Sequence, residues 1–280
     1  MGLTNIYIGG IISVELKVKH YFKKEVGTVC VIFYQTKEQA LFTYDEILNA
    51  SLTNPHGMGL MWNDGVSIKF KKGYFNVKEF FNDYIKIKKD PTTKEVALHF
   101  RIGTGSNIDV ANCHPFPITS VNKRLKASKG SCDVGVMMNG IIGKSTKEFS
   151  DTAIYVRDVL KKYYDTDRRF FLNFNKRTEM LFENEIYGCR FVLMSKEGTK
   201  LFGLGWSDYE GKAWVSNRHW IPKKPVKKNT FNWYDYNYAK KDSYDSYDDW
   251  YVRRASKRFA KSKDDSRHKS YIDELMESVV

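Results

Sequence analysis

Apolar and polar positions alternate along the chain in blocks that change period. From Cys30 the run Cys30-Val31-Ile32-Phe33-Tyr34 is short, β-branched and continuously apolar, which predicts a buried strand rather than a helix. Thr43 to Leu52 suits a short helix, with Thr43 as N-cap and Glu46 three residues on. The Asn54-Pro55-His56-Gly57 cluster predicts a turn. Gly59–Trp62 and Val66–Phe70 predict two strands, joined by a hairpin turn at Asn63-Asp64-Gly65. Asn76 stands before a helical stretch from Val77 to Lys88, where Val77, Phe80, Phe81, Tyr84 and Ile87 fall on one face. Further strands are expected over Val96–Ile102, Val134–Met138, Arg190–Met194, Lys200–Leu204 and Ala213–Ser216. A helix capped at Ser150-Asp151 is expected to run to Tyr164. This order of strands and helices predicts an α+β fold, not the βαβ alternation of a parallel sheet.

The pattern changes after Trp220. Residues 222–265 are rich in Lys, Asp, Ser and Tyr with few aliphatics, so residues 221–280 read as a polar, largely disordered tail, with a short helix at Ile272–Val279. The net charge of +13 raises the question of nucleic acid, but residues 221–280 hold 14 Lys/Arg against 10 Asp/Glu, and the rest of the surplus is spread over residues 1–220. Such a spread favours a solubility role over a binding groove. Nucleic acid is therefore possible as a partner but not favoured. No stretch approaches the roughly 20 apolar residues of a spanning helix, so no membrane partner is expected. The cysteines, Cys30, Cys113, Cys132 and Cys189, form neither a metal knuckle nor a disulfide framework. No metal and no cofactor are expected, and the predicted setting is a reducing cytoplasm.

Polar residues gather where strands end, the places where function concentrates. Cys30 opens a strand; His99-Phe100-Arg101-Ile102-Gly103-Thr104 ends one; Asn112-Cys113-His114-Pro115-Phe116 follows; Met138-Asn139-Gly140 ends another; Ser150-Asp151-Thr152 opens a helix. Taken singly, each has a plainer role. Cys30 reads as a structural cysteine, Arg101 as an ion-pair former, Asn139-Gly140 as a hairpin turn, and Asp151 or Ser150 as an N-cap. Set in this order they resemble class II glutamine amidotransferase domains of the N-terminal nucleophile hydrolase superfamily, nearest to compact phage-encoded versions. The likeness covers roughly Cys30 to Trp220.

The resemblance implies a four-layer αββα sandwich, two antiparallel sheets between helix layers. It implies that Cys30 attacks a glutamine amide, releasing ammonia and leaving a thioester for water. Arg101 then holds the substrate α-carboxylate, with Thr104 beside it, and Asp151 holds the α-ammonium. Asn139 and Gly140 donate to the oxyanion. His99 and His114 take structural roles, because this mechanism needs no imidazole. Two departures stand out. Gly105 occupies a position where better-known members carry histidine, and Ala153 one where they carry an acidic residue. The natural substrate is thus glutamine or a related amide. The ammonia acceptor is expected on a separate synthetase or ligase subunit.

In this family the cysteine's own α-amine is the base, which conflicts with the 29 residues before Cys30. Residues 1–29 are therefore expected to be a propeptide cut at Val29-Cys30 or a mis-annotated upstream extension. Valine can be encoded by the start codon GTG, and Lys24-Glu25-Val26 can encode a ribosome-binding sequence. The rival reading is a catalytically silent binding protein of the same fold, acting through its basic surface and aromatic tail.

Overall fold

Strand β1 (Val31–Thr36) is buried on both faces, and its alternation sets the plan of the molecule. Val31 and Phe33 pack with Phe42, Ile47, Phe80 and Tyr84, whereas Ile32 points the other way, to Met61, Met137, Val192 and Met194. The computed structural model describes residues 30–222. The expected propeptide or extension at residues 1–29 lies outside the described residues, as does nearly all of the predicted tail.

The fold is α+β, built on two antiparallel sheets. The larger contains β2 (Met58–Asn63), β3 (Ile68–Tyr74), β4 (Glu95–Phe100), β6 (Lys129–Cys132), β10 (Ser207–Tyr209) and β11 (Ala213–Val215), in the order β10-β11-β1-β4-β2-β3-β6. The smaller contains β5 (Phe116–Pro117), β7 (Val134–Asn139), β8 (Arg190–Ser195) and β9 (Gly198–Phe202), in the order β5-β7-β8-β9. Ile32, Ala97, Met137, Val192 and Met194 form one apolar cluster drawn from both sheets.

Helices α1 (Tyr44–Thr53) and α2 (Val77–Lys89) contribute to the cluster around Phe33. The capping box at α1 forms as expected: Thr43 Oγ1 accepts from the Glu46 N–H, and the Glu46 carboxylate accepts from the Thr43 N–H. Asn76 caps α2 with a single bond, its Oδ1 accepting from the Glu79 N–H at 2.9 Å. After the short α3 (Asn122–Leu125), α4 (Asp151–Tyr155) runs through a π-helical turn, Val156–Leu160, into α5 (Lys161–Thr166). With α6 (Phe170–Asn173) and α7 (Lys176–Glu185), this segment contributes Val156, Leu160, Phe171 and Phe182 to a third cluster with Val136, Met138, Phe191 and Leu193 of the smaller sheet. Each fully buried side chain of this size stabilises the fold by about 1.5–3 kcal/mol relative to exposure. Among the described residues no helix is long and apolar enough to cross a membrane.

The structure corrects some expected boundaries. Val66 and Ser67 belong to the hairpin turn, because Asp64 Oδ1 accepts from both their N–H groups at 2.9 and 2.8 Å. The strand expected to reach Ile102 stops at Phe100. There the Arg101 N–H donates to Gly57 O and the His56 N–H donates to Arg101 O, both at 2.9 Å. The core reaches to the end of the described chain: Trp220 is 1% exposed, its ring tilted against Phe33 at 4.7 Å and edge-on to Tyr209 at 4.9 Å.

Candidate active site

Cys30 immediately precedes β1. The β1–β4 register pairs Val31 with Phe100, so Cys30 and Arg101 are the next facing positions outward. The Ile102 N–H donates to Cys30 Sγ at 3.2 Å, and the thiol in turn lies 3.5 Å from Ile102 O. Asn217, just past β11, donates its amide N–H to Cys30 O at 2.7 Å. Burial holds the thiol above the ordinary cysteine range. The Ile102 N–H and the positive charge of Arg101 oppose this, while the Asp151 charge adds to it. The sulfur therefore lies in the field of both Arg101 and Asp151, and it is a thiol rather than a ready thiolate at neutral pH.

Arg101 is 3% exposed. One of its Nη atoms donates to Ser106 Oγ at 2.7 Å and the other reaches His56 O at 3.5 Å. Among the described residues no carboxylate lies within ion-pair distance of it. Asp151 is also buried. Its Oδ2 accepts from the Ile142 N–H and its Oδ1 from the Thr152 N–H, at 2.9 and 2.8 Å. The N-cap of α4 is Ser150, whose Oγ accepts from the Ala153 N–H, so the Asp151 carboxylate is not consumed in capping. It too lacks a cationic side-chain partner among the described residues. Thr104 is exposed on the loop that follows Arg101.

Asn139 ends β7 and is fully buried. Its Nδ2 donates to Ser216 Oγ at 2.9 Å, and that hydroxyl also accepts from the Ile32 N–H at 2.9 Å. One serine thus ties the head of β1 to the end of β7 in the other sheet. Asn139 Oδ1 has no hydrogen-bond partner. Gly140 has φ +140°, and a Cβ there would sit 2.7 Å from Cys189 Sγ. Only glycine serves at this position.

Cys30, Arg101, Asn139, Gly140 and Asp151 therefore gather at one end of the two sheets, with Thr104 at the margin. His99 and His114 lie deeper. Their rings stack at 3.9 Å, and the His99 Nε2–H donates to Met138 O at 3.0 Å. Burial depresses His99 to about 3, and burial together with the neighbouring His99 keeps His114 well below the usual histidine range. Neither is placed to act as an acid–base group near neutrality. Among the described residues no cluster of three or more His, Cys, Asp or Glu side chains is arranged to hold a metal ion.

The two departures have local causes. Gly105 has φ +148°, and a Cβ would meet Ser145 Oγ at 2.4 Å, so the facing loop occupies the room a histidine would need. Ala153 is 1% exposed inside the apolar cluster of α4, where an acidic side chain would be desolvated. Ser106, Asn217 and Ser216 were not singled out from the sequence, since a lone serine or asparagine in a loop carries no pattern. No protein-family model matches the chain, and no curated protein matches it.

Proposed function

We propose that this domain hydrolyses the side-chain amide of glutamine or a closely related amide, with Cys30 as nucleophile. The observation that carries this reading is the pair of buried charges around the thiol. Arg101 and Asp151 each lack an opposite charge among the described side chains. A buried charge without a partner is costly. A ligand carrying one carboxylate and one ammonium, as an α-amino acid does, neutralises both, and its side chain then extends toward Cys30.

In the proposed reaction Cys30 Sγ attacks the amide carbonyl and the thiol proton passes to the Cys30 α-amine. The oxyanion is met by the Asn139 amide and the Gly140 N–H. The two ends of the Asn139 amide have the same shape. With them exchanged, the Ser216 hydroxyl donates to Oδ1 and the now unpaired position becomes an N–H donor. The amine returns the proton to the departing nitrogen, ammonia leaves, and water cleaves the thioester to regenerate the thiol. The raised thiol pKa fits a mechanism that needs a base at the moment of attack. The reading requires Cys30 to be the first residue of the active protein.

The three apolar clusters support a four-layer order of helices, sheet, sheet and helices for this reading. A reducing cytoplasm, where a thiol nucleophile stays free, is the setting that suits it.

The test is ammonia release from glutamine by protein whose first residue is Cys30, beside its Cys30→Ala variant and the chain that retains Met1. Activity confined to the Cys30-initiated form and lost in the variant is expected. Glutamine hydrolysis by the Met1 chain would remove the α-amine from the mechanism. Absence of hydrolysis in every form, with glutamine still bound, would favour the silent binding protein.

A further inference from the structure

The same end of the smaller sheet holds a second cation that the proposed chemistry does not use. Arg190 is the first residue of β8 and pairs directly with Asn139 of β7. Val192 and Met194 of β8 and Met137 of β7 belong to the cluster shared by the sheets, so alternation turns Arg190 and Asn139 to that same face. Arg190 is only partly buried, yet its Nε has no hydrogen-bond partner, and no carboxylate pairs with it among the described residues. Gly205, at φ +91°, lays its backbone against the guanidinium: a Cβ there would lie 2.5 Å from Nη2 and 3.2 Å from Cζ. The turn thus shapes a place for this side chain without accepting from its Nε.

Its position says which part of a ligand it would meet. His114 beside β5 stacks on His99 of β4, and Lys72 of β3 lies 3.9 Å from the Phe116 ring of β5. The β5 edge of the smaller sheet therefore faces the β4–β3 side of the larger one. Arg101 follows β4, whereas β8 is the strand on the other side of β7. Cys30 and Asn139 fall between the two arginines. With an amino-acid carboxylate at Arg101, the reacting amide sits centrally and its nitrogen side points toward Arg190. Free glutamine has no anion there.

We propose that Arg190 is an anion subsite beside Asn139, on the nitrogen side of the reacting amide, taking a carboxylate or phosphate borne by the amine that leaves or by the molecule that receives it. The orientation rests on the amidohydrolase reading; the anion site itself does not. Calorimetry with inorganic phosphate, on the full chain and on the form beginning at Cys30, tests the site. Binding should weaken about tenfold or more in Arg190→Gln, less in Arg190→Lys, and not in Arg169→Gln, an exposed control. Gly205→Ala, which leaves the arginine in place but crowds it, should weaken phosphate as well. It provides a second reading if Arg190→Gln fails to melt cooperatively. Comparing kcat/KM for γ-glutamylglycine and glutamine then separates the sources. A ratio that falls in Arg190→Gln assigns the anion to the leaving amine; an unchanged ratio, with phosphate binding lost, assigns it to the receiving molecule. If neither amide is hydrolysed but Arg190→Gln still loses phosphate, the subsite stands and the hydrolase reading falls. Phosphate that fails to bind, or that binds Arg190→Gln as tightly as the parent, overturns the proposal.

Discussion

The Ile102 N–H lies 3.2 Å from the Cys30 sulfur, and Ile102 is bonded directly to Arg101. On the proposed reading, the residue that holds the substrate and the one that positions the nucleophile are thus consecutive, so gripping and attack share one piece of backbone. Arg101→Lys keeps the charge but loses the planar fork and the bond to Ser106 Oγ. We expect kcat/KM for glutamine to fall about 100-fold, mainly through KM, equivalent to about 2.7 kcal/mol. Steady-state kinetics beside a melting curve will check this; an unchanged KM would take Arg101 out of substrate binding.

Gly140→Ala should damage both stability and rate. The added methyl would sit 2.7 Å from Cys189 Sγ and 2.9 Å from its Cα, on a backbone at φ +140°. A loss of about 1–3 kcal/mol of stability is expected. The Gly140 N–H would move with the backbone, so kcat should drop by about 10²–10³ in the fraction that folds. Chemical denaturation and kcat measured at a temperature where the variant is fully folded separate the two effects.

His99 and His114 make stability fall on the acid side. Both are held below 6.5 by burial, His99 to about 3. Below pH 6.5 the unfolded chain takes up protons on these residues that the native state refuses. Stability is therefore intact above 6.5 and declines as pH falls toward 3, by about 1.4 kcal/mol per pH unit for each histidine. Urea unfolding at pH 7, 6 and 5 should show this slope, and His99→Gln should reduce it by the share of one histidine. A midpoint constant over that range would contradict the buried, neutral assignment.

Trp220 fastens the last described turn to Cys30. Its indole N–H donates to Asn217 O at 3.1 Å, and Asn217 donates to Cys30 O at 2.7 Å. Trp220→Ala should cost about 3–5 kcal/mol and loosen Cys30 as well. Truncation after Pro222 should leave the core of described residues intact, whereas truncation before Trp220 should not. Melting temperatures of the three proteins give the comparison.

Much of this architecture was legible in the sequence wherever burial imposes a period. The run Val31–Tyr34, the Thr43–Glu46 capping box and the Val77–Ile87 face all appear where expected, because each buries side chains at the spacing its backbone demands. The missed elements lack that signal. Lys129–Cys132 is an edge strand with three exposed residues, so nothing in it alternates. Ser207–Tyr209 and Phe116–Pro117 are too short to show a period. In α7, Phe182 is the only buried residue, too little for an apolar stripe. The six expected site residues were chosen for their order along the chain, and five of them meet at one end of the sheets. What the sequence withheld was their support. Ser216 and Asn217 act through hydrogen bonds to residues far away in sequence, and Ser106 through one bond to Arg101 within a loop; such contacts leave no periodic pattern.

Ser216 bonds to Ile32 across 184 positions, and Asn217 to Cys30 across 187. Strand β11, which flanks β1 in the sheet, is thus supplied from the far end of the described chain. During synthesis β1 emerges early but gains this neighbour only after almost everything between has left the ribosome. The Asn217–Cys30 bond can close only when both ends of the described chain are present. Contacts so distant in sequence form slowly, since the entropy of bringing their ends together is lost before the contacts stabilise anything. A nascent or prematurely terminated chain therefore carries Cys30 without the Asn217 amide that holds its carbonyl.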